Sequence, residues 1–428
     1  MLKNKVIENY ISLLLIQGAN FLLPLITLPY LLKTLGAEKY GNVVFVATII
    51  QYFILITEYG FNLSATRQIA ILKDNKMKIR KIFYSVIVIK IIFMLLSFLL
   101  LCSLIYLIPT LNHQWKIYLL SYGMVVGSVF FPIWLFQGIE RMKYITIFHF
   151  SSKLCFTILL FVLVHNSKDY LYVPLINSIG ALLTAALSMY VCIFKFDIKF
   201  IKVSKKDLLD QLHSGFHLFI SAASYQIYNI SNTFFIGIFL GNTWAGYYNA
   251  GEKVITMAKQ FLYTLFQAYY PHLVKTYSVD KLLYFGKWKK LSFFSVGISI
   301  IGIIVINLVP DNWYYIVLSS NFNESVLILK FLSISILLST LMNLLGNQMM
   351  IVLGFSKAFS TSYLYFVLIY LIVAPSILTF NNNAYLLIAV QLCLEFFIVL
   401  YRLLFLKKKN LGLLFKTDFN QSKFKKSI

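Results

Sequence analysis

The chain has 428 residues, of which 60% are apolar and only 12% charged, with a net charge of +23. Its mean hydropathy is +0.79. Such a composition excludes an ordinary soluble domain, where about a quarter of the residues are charged. It also disfavours a nucleic-acid partner, because a nucleic-acid domain gathers its basic residues on one soluble surface. Here they are scattered through short gaps between apolar runs.

A transmembrane helix needs about 20 mostly apolar residues. Twelve runs meet that demand, near 11–33, 41–63, 82–108, 115–138, 146–164, 170–194, 213–240, 246–271, 291–309, 326–350, 357–380 and 384–406. The first follows Lys3 and Lys5, as a signal peptide would. It lacks a small-residue cleavage site and is followed by further spans, so it reads as mature structure. Lysine and arginine are retained on the cytoplasmic side during insertion. They collect in alternate gaps (64–81, 195–212, 272–290) and at the termini, whereas the other gaps hold Lys33, Lys39 and Lys168. Both termini are therefore expected in the cytoplasm, and the basic loops should meet anionic membrane lipids.

The gap 195–212 divides the runs six and six. This predicts an N-terminal bundle over 1–200, a C-terminal bundle over 201–410 and a basic cytoplasmic tail over 411–428. The halves echo each other: Leu35-Gly36 followed by Gly41 matches Leu240-Gly241 followed by Gly246, and Gly138 with Arg141 matches Gly354 with Lys357. Six spans per half give both copies the same orientation, as in parallel-repeat transporters. The expected fold is an all-α integral membrane protein with twelve transmembrane helices. They form two six-helix bundles related by a pseudo-twofold axis along the membrane normal.

The outer gaps are too short for a folded catalytic domain, and the basic gaps lack a glycine-rich phosphate loop, so neither an enzyme nor an ATPase is expected. Cys102, Cys155, Cys192 and Cys393 lie inside apolar runs with no metal or disulfide spacing. His213 and His217 stand four apart but lack a third ligand, so no metal is expected.

Polar groups inside a membrane are costly and face a bundle interior or a watery cavity. Gln17, Asn20, Pro24 and Thr27 share one face of the first run. Ser221, Ser224, Tyr225, Tyr228 and Asn232 form the corresponding stripe of the seventh. In the eighth, Glu252, Thr256, Lys259, Tyr263 and Gln267 lie within about 80° of arc at ~100° per residue. Ser333, Thr340, Asn343 and Asn347 follow in the tenth run, and Gln391, Glu395 and Arg402 in the twelfth. Lys259 is roughly 20 Å into its span at about 1.5 Å per residue, too deep to reach either surface easily. Lys153 and Lys90 are shallower and able to snorkel, which ranks Lys259 above Lys153 and Lys153 above Lys90 as cavity cations, with Lys253 beside them. Asn20, Tyr225, Asn232, Thr256, Asn343 and Asn347 are candidate cavity-lining groups. Glu395, Glu252 and Glu58 are candidates for coupling to a proton or sodium gradient, or alternatively for permanent ion pairs with lysine. More lysines than acids suits an anionic passenger.

PLITLPYLLKTLGAEKYG (24–41), YGFNLSATRQIA (59–70) and FFPIWLFQGIERMKYI (130–145) resemble the Wzx-type O-antigen and capsule flippases. These form the polysaccharide-transporter branch of the MOP exporter superfamily. SGFHLFIS (214–221), YYNAGEK (247–253) and GNQMMIVLG (346–354) extend the resemblance along the chain. It implies an inner-membrane protein that moves undecaprenyl-pyrophosphate-linked oligosaccharide repeat units between leaflets by alternating access. A polysaccharide polymerase and a chain-length regulator are its candidate partners, and no bound cofactor is implied. Arg67, Gln137 and Arg141 fall at the cytoplasmic rim. For Arg67 and Arg141 anchoring to headgroups competes with a role in substrate entry, and for Gln137 the alternative is to lock a helix end by a hydrogen bond. A MATE-like drug or cation antiporter is the alternative, disfavoured by the lysines; a membrane glycan polymerase would need a larger outer loop.

Overall fold

In the computed structural model every described element is helical. The structure describes residues 2–72 and 75–409; for residues 2–17, 19–22 and 221 only the backbone is described. Asn20 and Ser221 as side chains, and the basic tail 411–428, thus lie outside the described residues.

The chain forms two compact units. Unit 1 comprises Met1–Gly246 with Val317–Asn321, and unit 2 comprises Tyr247–Ile316 with Phe322–Ile428. The helices of unit 1 are α1 (Leu2–Glu58), α2 (Phe61–Ile71), α3 (Lys76–Leu107), the short α4 (Pro109–Asn112), α5 (Trp115–Phe130), α6 (Ile133–Gly138), α7 (Met142–Leu163), α8 (Tyr172–Tyr190) and α9 (Lys205–Phe239). Then come α10 (Asn242–Val279), α11 (Lys281–Leu308), α12 (Asp311–Leu318), α13 (Asn323–Leu332), α14 (Ile334–Leu345), α15 (Ser356–Phe380) and α16 (Ala384–Lys408). α9 packs in unit 1, against α1, α2 and α3.

Gap residues supply the helix caps, as orphan N–H groups at helix starts require. Asn75 accepts from Lys78 N at the start of α3, and Asp280 accepts from Leu282 N and Leu283 N at the start of α11. Ser204 and Asp207 form a reciprocal capping box on α9. Asp207 is held below the ordinary carboxylate range, first by the Ser204 backbone N–H, then by the Ser204 hydroxyl and Lys81.

Nine stretches among the described residues are long and apolar enough to cross a membrane. The first, Leu23–Ile71, covers two sequence runs, which meet at a kink in α1 where Gly36 leaves the helical region at φ 70° and ψ 174°. α9 and α10, 35 and 38 residues long, fall outside the nine; α10 carries the polar stripe read from the sequence.

The glycine echo has a structural counterpart. Gly36 and Gly241 both take left-handed backbone, with φ of 70° and 88°, where a side chain would be strained. Five residues on, Gly41 and Gly246 lie against each other: a Cβ on Gly41 would strike the Asn242 carbonyl, and one on Gly246 would strike the Ala37 carbonyl. Ala37 and Asn242 are the residues after Gly36 and Gly241, so the contact is reciprocal, as a local twofold requires. The second echo is displaced by two residues. Arg141 N bonds to Phe136 O and Phe355 N to Met350 O, each at 2.8 Å. These bonds equate Glu140 (φ 59°), rather than Gly138, with Gly354 (φ 85°), since the left-handed helix-ending position defines the match.

A polar cluster on α10 and α16 as the candidate functional site

YYNAGEK opens unit 2 on the polar face of α10. Tyr248 and Glu252 are one turn apart there, and the Tyr248 hydroxyl lies 3.1 Å from Glu252 Oε1. On α16, Gln391 and Glu395 repeat the same spacing, and Gln391 Nε2 donates to Glu395 Oε1 at 3.2 Å. The two pairs meet where the Tyr248 hydroxyl lies 3.3 Å from Gln391 Oε1. At the far end Lys259 Nζ stands 3.8 Å from Glu395 Oε1. The result is a continuous polar chain, Glu252–Tyr248–Gln391–Glu395–Lys259, in which Tyr248 is 0% and Glu395 1% exposed. The Lys259 side chain keeps 26% exposure. Its charge and that of Lys253 both act on Glu252, and Lys253 and Thr256 are exposed on the same helix. A loosely held ammonium beside a buried carboxylate can exchange one anionic partner for another.

Unit 1 holds a tighter pair. Lys90 Nζ donates to Glu58 Oε1 at 3.2 Å and to the Ser128 carbonyl at 2.8 Å. That carbonyl belongs to the last turn of α5, which runs into Pro132 and lacks helical partners for its final C=O groups. Glu58 also accepts from Asn62. Lys90 is 0% exposed, so its ammonium is engaged wholly within the protein.

Three family-like segments converge near this pair. Gly60, at φ 74°, lies so close to α9 that a Cβ would come within 2.8 Å of Phe219 N and 3.1 Å of Gly215 O. Tyr59 and Phe219 stack at 4.9 Å. Thr66 Oγ1 lies 3.1 Å from the Trp134 carbonyl and 3.4 Å from Gln137 Oε1. Gln211 Nε2 donates to Gln68 Oε1 at 2.8 Å. Residues 59–70, 130–145 and 214–221 thus form one packed block.

In unit 2, GNQMMIVLG makes a wide turn of π-helix over Gly346–Ile351. Arg402, 0% exposed, is held beside it. It donates to the Met342 carbonyl at 2.6 Å and to Ser362 Oγ. Its guanidinium carbon lies 4.7 Å from the Phe359 ring and 4.6 Å from the Tyr363 ring, in the corner formed by these two edge-to-face rings. Both rings lend it their negative π faces in place of a carboxylate.

The remaining candidates are dispersed. Lys153 is half-buried on α7, where its charge acts on His149. Tyr225 is 50% and Asn232 2% exposed on α9. Asn343 accepts from Gln348 Nε2 at 3.4 Å, which also reaches the Phe266 carbonyl on α10. Asn347 is half-buried, Arg67 is exposed, and Gln137 and Arg141 are half-buried. Tyr248 was not among the sequence candidates. Its position four residues before Glu252 is the signal that marks it, since such pairs share a helix face.

Comparison with known proteins places the fold. An outward-facing multidrug resistance MATE family transporter of the MOP superfamily aligns over 97% of each chain, with a TM-score of 0.63 and 11% identity. The fold is therefore that of MOP-superfamily transporters, all-α and multi-pass. Residues 6–277, more than half of the chain, match the family described as Polysaccharide biosynthesis protein. A protein of Escherichia coli (strain K12) named "Putative O-antigen transporter" is 31% identical over 357 residues, which cover 82% of this chain and 85% of the relative. A protein of the same name in Shigella dysenteriae is 27% identical over 298 residues, 70% of this chain and 73% of its own. The chain belongs to this polysaccharide biosynthesis family, among the Wzx-type flippases.

Proposed function

We propose that this protein moves undecaprenyl-pyrophosphate-linked oligosaccharide repeat units from the cytoplasmic to the outer leaflet of the inner membrane. In this reading it works by alternating access, is driven by a proton or sodium gradient, and keeps both termini in the cytoplasm. Family membership supports the polysaccharide cargo. The observation that carries the reading is Lys259, a partly exposed cation deep in a long helix, which stands a loose 3.8 Å from Glu395. A pyrophosphate must be shielded from hydrocarbon, and a lysine that a buried acid holds weakly can bind and then release it. Lys253 adds a second cation on the same helix, and Glu252 and Glu395 are the carboxyls for the coupling ion.

The test is reconstitution into liposomes carrying a labelled lipid-linked oligosaccharide whose leaflet is read by an added lectin. Gradient-dependent movement, reduced by Lys259→Ala, is expected. Absence of movement together with uptake of a cationic dye would replace this reading with a drug antiporter.

A further inference from the structure

We infer that Tyr248 is a hydrogen-bond switch that links protonation of Glu252 to the Glu395–Lys259 pair. A phenol has one hydrogen to donate. The Tyr248 hydroxyl faces two acceptors, Glu252 Oε1 at 3.1 Å and Gln391 Oε1 at 3.3 Å. The orientation of the Gln391 amide is fixed by its other end, where the NH2 group faces Glu395 Oε1 at 3.2 Å; a flipped amide would set oxygen against carboxylate.

Two arrangements follow. With Glu252 ionised, the carboxylate takes the Tyr248 hydrogen. With Glu252 protonated, the acid becomes the donor into the phenol oxygen, and the Tyr248 hydrogen turns to Gln391 Oε1. An amide that accepts at its oxygen donates more strongly at its nitrogen, by about 10–30% per bond. Gln391 then holds Glu395 more firmly, and Lys259 is released toward an anion. No proton passes through Gln391; only the direction of the hydrogen bonds reverses. Glu252 lies half-buried on α10, while Glu395 responds from 1% exposure.

The charged groups acting on Glu252 are Lys259 and Lys253 from α10 and Glu395 from α16. α13 packs on α10 where Gly251 meets Ser325. Its charged residues Glu324 and Lys330 are engaged with Tyr385 and Asp311. The switch deepens the ion coupling proposed above and rests on that reading for its use in transport. It is tested without transport, so the two fail separately.

The purified protein is titrated by infrared difference spectroscopy. The Glu252 carboxylic-acid band is assigned by its loss in Glu252→Gln. In the otherwise native protein, Glu395→Gln should lower the proton affinity of Glu252 about tenfold, one pH unit of midpoint. In the Tyr248→Phe background the same substitution should lower it only about threefold, the part carried through space. Gln391→Met breaks the same link from the α16 side and should give the same reduced shift, so the result does not depend on one variant folding. Equal shifts in native and Tyr248→Phe backgrounds, or a Glu252 that stays ionised wherever the protein is folded, would overturn the switch.

Discussion

The Lys90–Glu58 pair of unit 1 and the Lys259–Glu395 pair of unit 2 use the same two groups with their burial reversed. In the first the lysine is 0% and the acid 19% exposed, at 3.2 Å. In the second the lysine is 26% and the acid 1% exposed, at 3.8 Å. Lys90 has a second partner in the Ser128 carbonyl, which leaves little for a passenger to displace. Lys259 faces outward from a buried acid that has Gln391 as an alternative partner. A closed pair holds helices together, whereas an open one can trade partners, and depth in the membrane alone does not distinguish them.

The largest expected effect breaks the closed pair. Lys90→Ala strands Glu58 and the α5 carbonyl, and should cost about 3–5 kcal/mol, the usual loss when one member of a buried pair is removed. Lys90→Met with Glu58→Leu should be far milder, and thermal unfolding of the purified proteins checks both. A double variant as unstable as the single would mean that the pair does more than neutralise itself. Next comes Gly346→Ala. Its Cβ would meet Arg402 Nη1 at 2.5 Å and the Phe359 ring at 2.6 Å, an overpacking worth about 1–3 kcal/mol. Wild-type stability there would show that Arg402 swings aside freely.

Lys259→Ala should cost only about 1 kcal/mol, below the range for a closed pair, because the lysine is partly exposed and Glu395 keeps the Gln391 hydrogen bond. A loss as large as that of Lys90→Ala would erase the contrast. The smallest effect belongs to the exposed pair Lys81–Asp207, at 3.4 Å. Asp207 lies below its ordinary value, so its stabilisation is present above the unfolded-state value and fades as pH falls through the folded one. The difference in melting temperature between wild type and Asp207→Asn should therefore be visible near neutrality and vanish in acid.

The helical, membrane-spanning character was legible because apolar runs of span length announce themselves, and the glycine echo located a real reciprocal contact. The break between the first two runs was legible at Leu35-Gly36, where Gly36 leaves the helical region at φ 70° and ψ 174° and kinks α1. On α10 the stripe from Glu252 to Gln267 was visible at helical spacing. Its partners were not, because periodicity orients side chains on one helix and says nothing of what a distant helix presents. Thus Glu395 was found as a deep acid, while the Tyr248–Gln391 bridge that ties it to Glu252 needed coordinates. The same limit explains Lys90: its depth suggested snorkelling, whereas a carbonyl 38 residues away along the chain and Glu58 hold it inside.

The contrast between the two pairs meets its most direct test in the initial rate of lipid-linked oligosaccharide movement in proteoliposomes containing equal amounts of folded protein. Lys259→Ala should slow it about tenfold or more, equivalent to losing ~1.4 kcal/mol of transition-state interaction. Lys90→Met with Glu58→Leu should remain within about twofold of wild type, ~0.4 kcal/mol on the same scale. Wild-type movement in Lys259→Ala, or an equal loss in the double variant, would contradict the assignment of the open pair as the substrate site.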